Sequence, residues 1–238
     1  MSRADRATSR ALVESLFDNP FYQAITIDFE GETDRRKQVL ESYFDYSLGE
    51  AERTGRLVVS PASEPGAALW QLPRDADVAA AESAAKMDFM SRLFGPRGID
   101  HYQHMLEFME AQVHGLMPAD AWYLSILGVH PQAQGRGTGA RLLAPTLQES
   151  EAAGVTCYLE TFGDRGLPFY ERMGFKLIAS QVEPTSGGKY HILRTALDTS
   201  CASGCRAVVS EARNAGAGAR GRSPQHTRVQ YVSRNRQR

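Results

Sequence analysis

Gly135, Gly137 and Gly139 recur at alternate positions in Leu127–Leu143 (LGVHPQAQGRGTGARLL), where an apolar strand pattern gives way to a helical one. Glycine at such a junction lets the backbone come close to a ligand, and the N–H groups at a helix start carry about half a positive charge. A phosphate or pyrophosphate is the natural guest, and Arg136 can add a charge-assisted hydrogen bond to it. A Walker loop needs Gly-Lys-Ser/Thr, but Gly139 is followed by Ala140 and Arg141, so that reading fails. Gly135, Gly137 and Ala140 satisfy G-x-G-x-x-G/A, with Glu160 near the expected ribose position, as in a nicotinamide-dependent oxidoreductase. In that fingerprint the strand enters the first glycine almost directly. Here His130 to Gln134 intervene, including the strand-breaking Pro131, and the alternation of strands and helices is missing.

A third pattern surrounds the same glycines. Val129-His130-Pro131 closes the strand, and Gln134-Gly135-Arg136-Gly137-Thr138-Gly139 opens the helix. Downstream, after another strand, a short helix ends in Tyr170-Glu171-Arg172-Met173-Gly174-Phe175. Together these resemble the GNAT superfamily of N-acetyltransferases, whose signature is Val-x-Pro, then Gln/Arg-x-x-Gly-x-Gly/Ala, then Tyr-x-x-x-Gly-Phe. The stretch LETFGDRGLPFYERMGF is most similar to the puromycin N-acetyltransferase branch and its fungal relatives. The resemblance covers residues 121–196 well and the N-terminal half only in its architecture.

The resemblance implies a GNAT-like α+β domain, a central mixed sheet with helices on both faces. It implies acetyl-CoA as co-substrate, transfer of its acetyl group to a primary amine of a small molecule, and no metal. The amides of Gln134, Gly135, Arg136, Gly137, Thr138, Gly139 and Ala140 would hold the pyrophosphate. Around Leu127 and Val129 the strand would splay from its neighbour and pair with the pantetheine arm as an added strand would. Tyr170 would sit near the sulfur and protonate the departing thiolate. Glu160 is the candidate base or amine-orienting group; equally, it is a candidate structural carboxylate. The Asn that many relatives place seven residues before the tyrosine is Gly163 here, so nothing is carried to it. A non-catalytic CoA-binding or protein-interaction module on the same fold stays open, as does the nicotinamide oxidoreductase.

The elements that must position these residues are legible from periodicity. Ala4–Phe17, Asp34–Thr54, Asp75–Phe94 and Ile99–Leu116 carry apolar residues at helical spacing, so the first half is mainly helical. Leu57–Val59 and Ala67–Leu72 read as short strands around a turn-rich SPASEPG. Then come a strand over Ala121–Val129, a helix over Gly137–Ala153 and a buried strand over Val155–Glu160. A short helix over Leu167–Met173 and strands over Phe175–Ser180 and Tyr190–Ala196 complete the pattern. The strand that usually precedes the first GNAT helix is not evident. Pro145 falls inside the predicted helix and is expected to kink it, at about 3 kcal/mol.

Other candidates are weaker. His101, His104 and His114 with Glu107 and Glu110 share a predicted helix, but HEXXH is absent, so a solvated face is expected rather than a metal site. Cys157 lies among apolar residues mid-strand, as an inert thiol does. Three cysteines are too few and too uneven for a disulfide framework, and the charged N-terminus lacks an apolar signal core. A cytoplasmic, non-membrane protein is expected. The 27 basic and 28 acidic residues argue against a nucleic-acid partner. Residues 199–238 hold eight Arg and one acidic residue, which leaves −8 over 1–198 and mildly favours a cationic acceptor. That Gly/Arg/Ser-rich tail is too poor in apolar residues to form a core, so residues 1–198 are expected to be the domain and 199–238 a disordered tail. Removing residues 200–238 should leave acetyl transfer and the melting temperature nearly unchanged; a drop of many degrees would mean that the tail packs on the domain.

Overall fold

The structure, a computed structural model, describes residues 3–196. The expectation for the basic tail lies outside the described residues. Seven helices and six strands follow in the order α1 (Arg3–Leu16), α2 (Pro20–Ile25), α3 (Thr33–Thr54), β1 (Arg56–Val59), β2 (Gly66–Gln71), α4 (Ala76–Leu93) and α5 (Pro96–Val113). Then come β3 (Trp122–Val129), α6 (Thr138–Ala153), β4 (Cys157–Phe162), α7 (Leu167–Arg172), β5 (Phe175–Val182) and β6 (Lys189–Thr195). One six-stranded sheet runs β1-β2-β3-β4-β6-β5. Every neighbouring pair is antiparallel except β3 and β4. The sheet is mixed and the fold α+β, as the motifs imply, and the parallel sheet that a nicotinamide-binding fold requires is not present among the described residues.

Strand alternation divides the core into two layers. Leu69, Ile126, Tyr158, Tyr190 and Ile192 pack with the N-terminal helices. Trp70, Leu124, Leu159, Phe175 and Leu193 pack on the other face with Leu142 and Leu143 of α6. In α3 the buried residues are Val39, Leu40, Tyr43, Phe44, Ser47, Leu48 and Ala51, the three-to-four spacing that lays a helix on a sheet. The extra helix α2 begins at Pro20, behind Asn19, whose side chain accepts from the Phe21 N–H at 2.9 Å. Six residues gave too short a window for periodicity to show it. α6 runs through Pro145 without interruption.

α3 ends at Gly55, whose φ of −129° any residue can adopt. Its glycine is required by proximity instead: a Cβ there would lie 2.1 Å from the Trp70 carbonyl oxygen. That contact seats the end of α3 directly on β2. Gly55→Ala should therefore destabilise the domain by about 2 kcal/mol or more, since backbone would have to move. Urea unfolding with an unchanged midpoint would refute this packing.

Candidate active site

The site begins with an irregularity in β3. Leu69 of β2 faces Ile126 while its neighbour Trp70 faces Leu124, so Ser125 is an extra residue in the ladder, a β-bulge. The Ser125 hydroxyl donates to the Leu69 carbonyl at 3.1 Å. β4 pairs with β3 only through Trp122, Tyr123 and Leu124. Past the bulge β3 keeps β2 but loses β4, whose Glu160, Thr161 and Phe162 stay paired with β6 on its other edge alone. The two parallel strands splay. The His130 N–H reaches Pro65 on the β2 side at 2.9 Å. By strand alternation the N–H and C=O groups of Val129 and Leu127 face the opposite, open edge. The Gln134 side chain donates to the Val129 carbonyl there at 2.9 Å.

Beyond the splay the chain turns through Pro131–Ala133 into the glycine loop. Gly135 and Gly137 have φ of +77° and +78°, a left-handed conformation that favours glycine at both. Gln134, Gly135, Arg136 and Gly137 are exposed, and Gly137 is the N-terminal cap of α6. Backbone N–H groups around alternating left-handed residues at a helix start form an anion-binding concavity. Thr138, by contrast, is 2% exposed, and its hydroxyl donates to Glu64 Oε2 at 2.7 Å. Only its backbone can serve a ligand. Gly139 lies in the first turn of α6 against the Phe169 ring, 3.1 Å from where a Cβ would stand, so it also joins α6 to α7. Ala140 is half-buried one residue further along.

A latch that sequence reasoning missed holds this loop. Arg141 donates to the Arg136 carbonyl at 2.9 Å, to the Thr138 hydroxyl at 2.9 Å, and to Glu64 in the β1–β2 connection. The Thr138 hydrogen bond, with help from Arg141, holds the Glu64 carboxyl below its usual value. Glu64 is 74 residues from Thr138, so no local pattern could have paired them.

Glu160 and Tyr170 come together. Both line a cavity of about 150 Å³ that also touches Ser125, Ile126 and Leu127 on one side of the splay and Thr161 and Phe162 on the other. Glu160 is half-buried on the face covered by the N-terminal helices, and its Oε1 accepts a hydrogen bond from the Tyr190 hydroxyl. Tyr170 packs edge-on to Phe169 and Phe175, with its ring over Gly166. Its surroundings desolvate the phenol and push it up to about 12. Tyr22, Tyr43 and Tyr102 form a further wall, which the sequence did not single out. Burial raises the first two above their ordinary value.

The remaining candidates stay apart. His104 and Glu107 are exposed, and the His101 ring contacts the Ala24 carbonyl at 3.0 Å. No group of three or more His, Cys, Asp and Glu among the described residues could hold a metal. Cys157 is fully buried, and burial pushes its thiol up. No helix among the described residues is long and apolar enough to cross a membrane. If the loop holds an anion, Gly137→Asp should weaken CoA binding at least tenfold more than Gly137→Asn, with both variants folded. The two side chains share shape and tolerance of the left-handed region and differ in charge. Equal affinities by calorimetry would remove the anion-site assignment.

Comparison with known proteins places this geometry. The sequence model of the Acetyltransferase (GNAT) domain matches residues 104–177, the segment containing β3, α6, β4 and α7. An acetyltransferase structure from Corynebacterium glutamicum, grouped with histone acetyltransferases, is 19% identical; the match covers 84% of this chain and 96% of that one, with a TM-score of 0.53. An agmatine N-acetyltransferase in its apo form is 18% identical, over 80% of this chain and 93% of that one, with a TM-score of 0.52. A polyamine N-acetyltransferase from Drosophila melanogaster is 15% identical, over 66% and 80%, with a TM-score of 0.47. The first two likenesses are of fold. The splayed strands, the glycine loop and the Tyr170 helix thus lie within a segment that matches the GNAT acetyltransferase domain, in a chain with a GNAT-like α+β fold.

Proposed function

We propose that this chain is an N-acetyltransferase that moves an acetyl group from acetyl-CoA to a primary amine of a small molecule. One observation carries the reading: a single cavity at the β3–β4 splay is lined by a carboxylate, Glu160, and a phenol, Tyr170. The residues present fit acetyl-CoA. The exposed amides at Gly135–Gly137 suit its pyrophosphate, and the backbone groups of Leu127 and Val129 suit the amides of its pantetheine arm. When bound, it supplies an activated carbonyl and a thiolate leaving group.

The chain's own residues supply the rest. An amine is protonated at neutral pH and attacks only after losing a proton. Glu160 accepts that proton, directly or through a water, while Tyr190 holds its other edge. Strand amides near Val129 donate to the oxygen that gains charge during attack. Tyr170 remains protonated throughout the working range. A thiol of ordinary pKa near 8.5 is a much stronger acid than a phenol near 12, so full proton transfer from Tyr170 runs uphill. Tyr170 therefore serves as a hydrogen-bond donor to the developing thiolate, which takes its final proton from solvent. The acceptor enters against the tyrosine wall, where aromatic faces and Glu160 favour a cationic amine. The likeness of the Tyr170 segment to the puromycin branch supports a small acceptor; the two fold neighbours divide between agmatine and the histone acetyltransferase group and do not decide it.

The test is thiol release from acetyl-CoA with a panel containing agmatine, spermidine, phenylethylamine and puromycin, beside a CoA melting-shift assay. Stabilisation by CoA with no thiol release would favour a binding module. With the best acceptor, Tyr170→Phe should lower kcat by about 10²-fold with little change in acetyl-CoA affinity, because only the hydroxyl is deleted. Full activity in that variant would withdraw the role.

A further inference from the structure

On the opposite face of β6 from Tyr190 lies a hydrogen-bonded chain that the reaction described above does not use. His191 is 5% exposed, and both ring nitrogens are engaged. Nε2 lies 2.9 Å from Asp164 Oδ1, and Nδ1 lies 2.8 Å from the Ser180 hydroxyl on β5. Lys189 reaches Asp164 Oδ2 at 2.6 Å. The hydrogen bond from Lys189, followed by that from His191, holds the Asp164 carboxyl below its ordinary value. As a carboxylate Asp164 only accepts, so Nε2 carries the ring proton and, in the neutral ring, Nδ1 accepts from Ser180.

The position of Asp164 gives this chain a consequence. Asp164–Gly166 is a short 3-10 turn that leads straight into α7. The preceding Gly163 has φ of +78° and ψ of 160°, and its N–H donates to the Lys189 carbonyl at 2.8 Å. β6 thus grips two consecutive residues of the turn, Gly163 through backbone and Asp164 through two side chains. Tyr170 follows one and a half helical turns later, with its ring on Gly166. The Lys189–Asp164 pair is exposed and contributes little by itself. The buried imidazole is the fixed point.

We propose that His191 and Asp164 are positioning residues that anchor the β4–α7 turn and so fix the orientation of Tyr170 in the cavity it lines. The inference rests on the reading of Tyr170 as the residue that serves the departing sulfur. A ring displaced by about 1 Å can cost about 10²-fold in rate, although the anchor never touches substrate.

Two measurements test it: hydrogen exchange of amides 163–172, which needs no acceptor, and steady-state thiol release from acetyl-CoA with the best amine of the panel. His191→Phe keeps the bulk and removes both ring hydrogen bonds. It should speed exchange over 163–172 but not over β3, and lower kcat about tenfold or more with KM for acetyl-CoA within about twofold. His191→Gln, which can still donate to Asp164, should recover part of the loss. In a Tyr170→Phe background, His191→Phe should cost less than about twofold, since both changes remove the same interaction. Asp164→Ala, at an exposed position, carries the same predictions if the histidine variant does not fold. Unchanged exchange over 163–172, or losses that multiply in the double variant, would overturn the positioning role. Full activity of Tyr170→Phe alone would instead overturn the parent reading, and the exchange data would still show whether the anchor holds the turn.

Discussion

At Ser125 the central strand carries one residue more than its β2 neighbour, and from there its backbone no longer pairs with β4. Backbone N–H and C=O groups buried without a partner cost about 1–3 kcal/mol each, so an interrupted ladder persists only if something else satisfies it. At Val129 the Gln134 amide does so for the carbonyl. The remaining groups at the open edge of Leu127 and Val129 present a strand-like row of donors and acceptors, the surface to which an extended amide-bearing arm adds most readily. The cavity, the carboxylate and the phenol all border this one gap.

The loop that continues from the splay combines two conformational demands. Left-handed backbone at Gly135 and Gly137 turns amides outward, and the start of α6 adds its dipole. A segment shaped to receive negative charge has to be held against its own flexibility. Arg141 does this from within the helix, and Glu64 from the β1–β2 connection, so the loop is braced by two separate elements.

The opposite wall comes from the helical half. Tyr22, Tyr43 and Tyr102 reach the cavity from α2, α3 and α5, and the Glu50–Lys86 ion pair, 2.6 Å between α3 and α4, lines it as well. Sheet edge and helical wall therefore divide the work. The motif-bearing half supplies the glycine loop and the splayed strand edge, and the half without motifs supplies the aromatic wall of the cavity. A common fold can then serve different amines by changing helices that no signature marks.

Periodicity and turn signals placed the five long helices and the six strands of the described residues to within a few residues, because amphipathic spacing and strand-forming runs are local properties of the chain. The conformation of the glycine loop was also legible, since left-handed backbone and a helix start demand particular residues at neighbouring positions. What the sequence could not determine was anything made by contacts across tens of residues. The Glu64–Thr138 bond, the Tyr190–Glu160 bond and the His191–Asp164 anchor join residues 74, 30 and 27 apart. Thr138 shows the limit best: spacing made it part of the anion loop, but folding turned its hydroxyl inward to Glu64 and left only its amide outside. Gly55 shows it again, a glycine whose φ needs none and whose side chain is excluded because a Cβ there would lie 2.1 Å from the Trp70 carbonyl oxygen of β2. Local conformational preference is written residue by residue, whereas the partner of a polar side chain is decided when the sheet assembles.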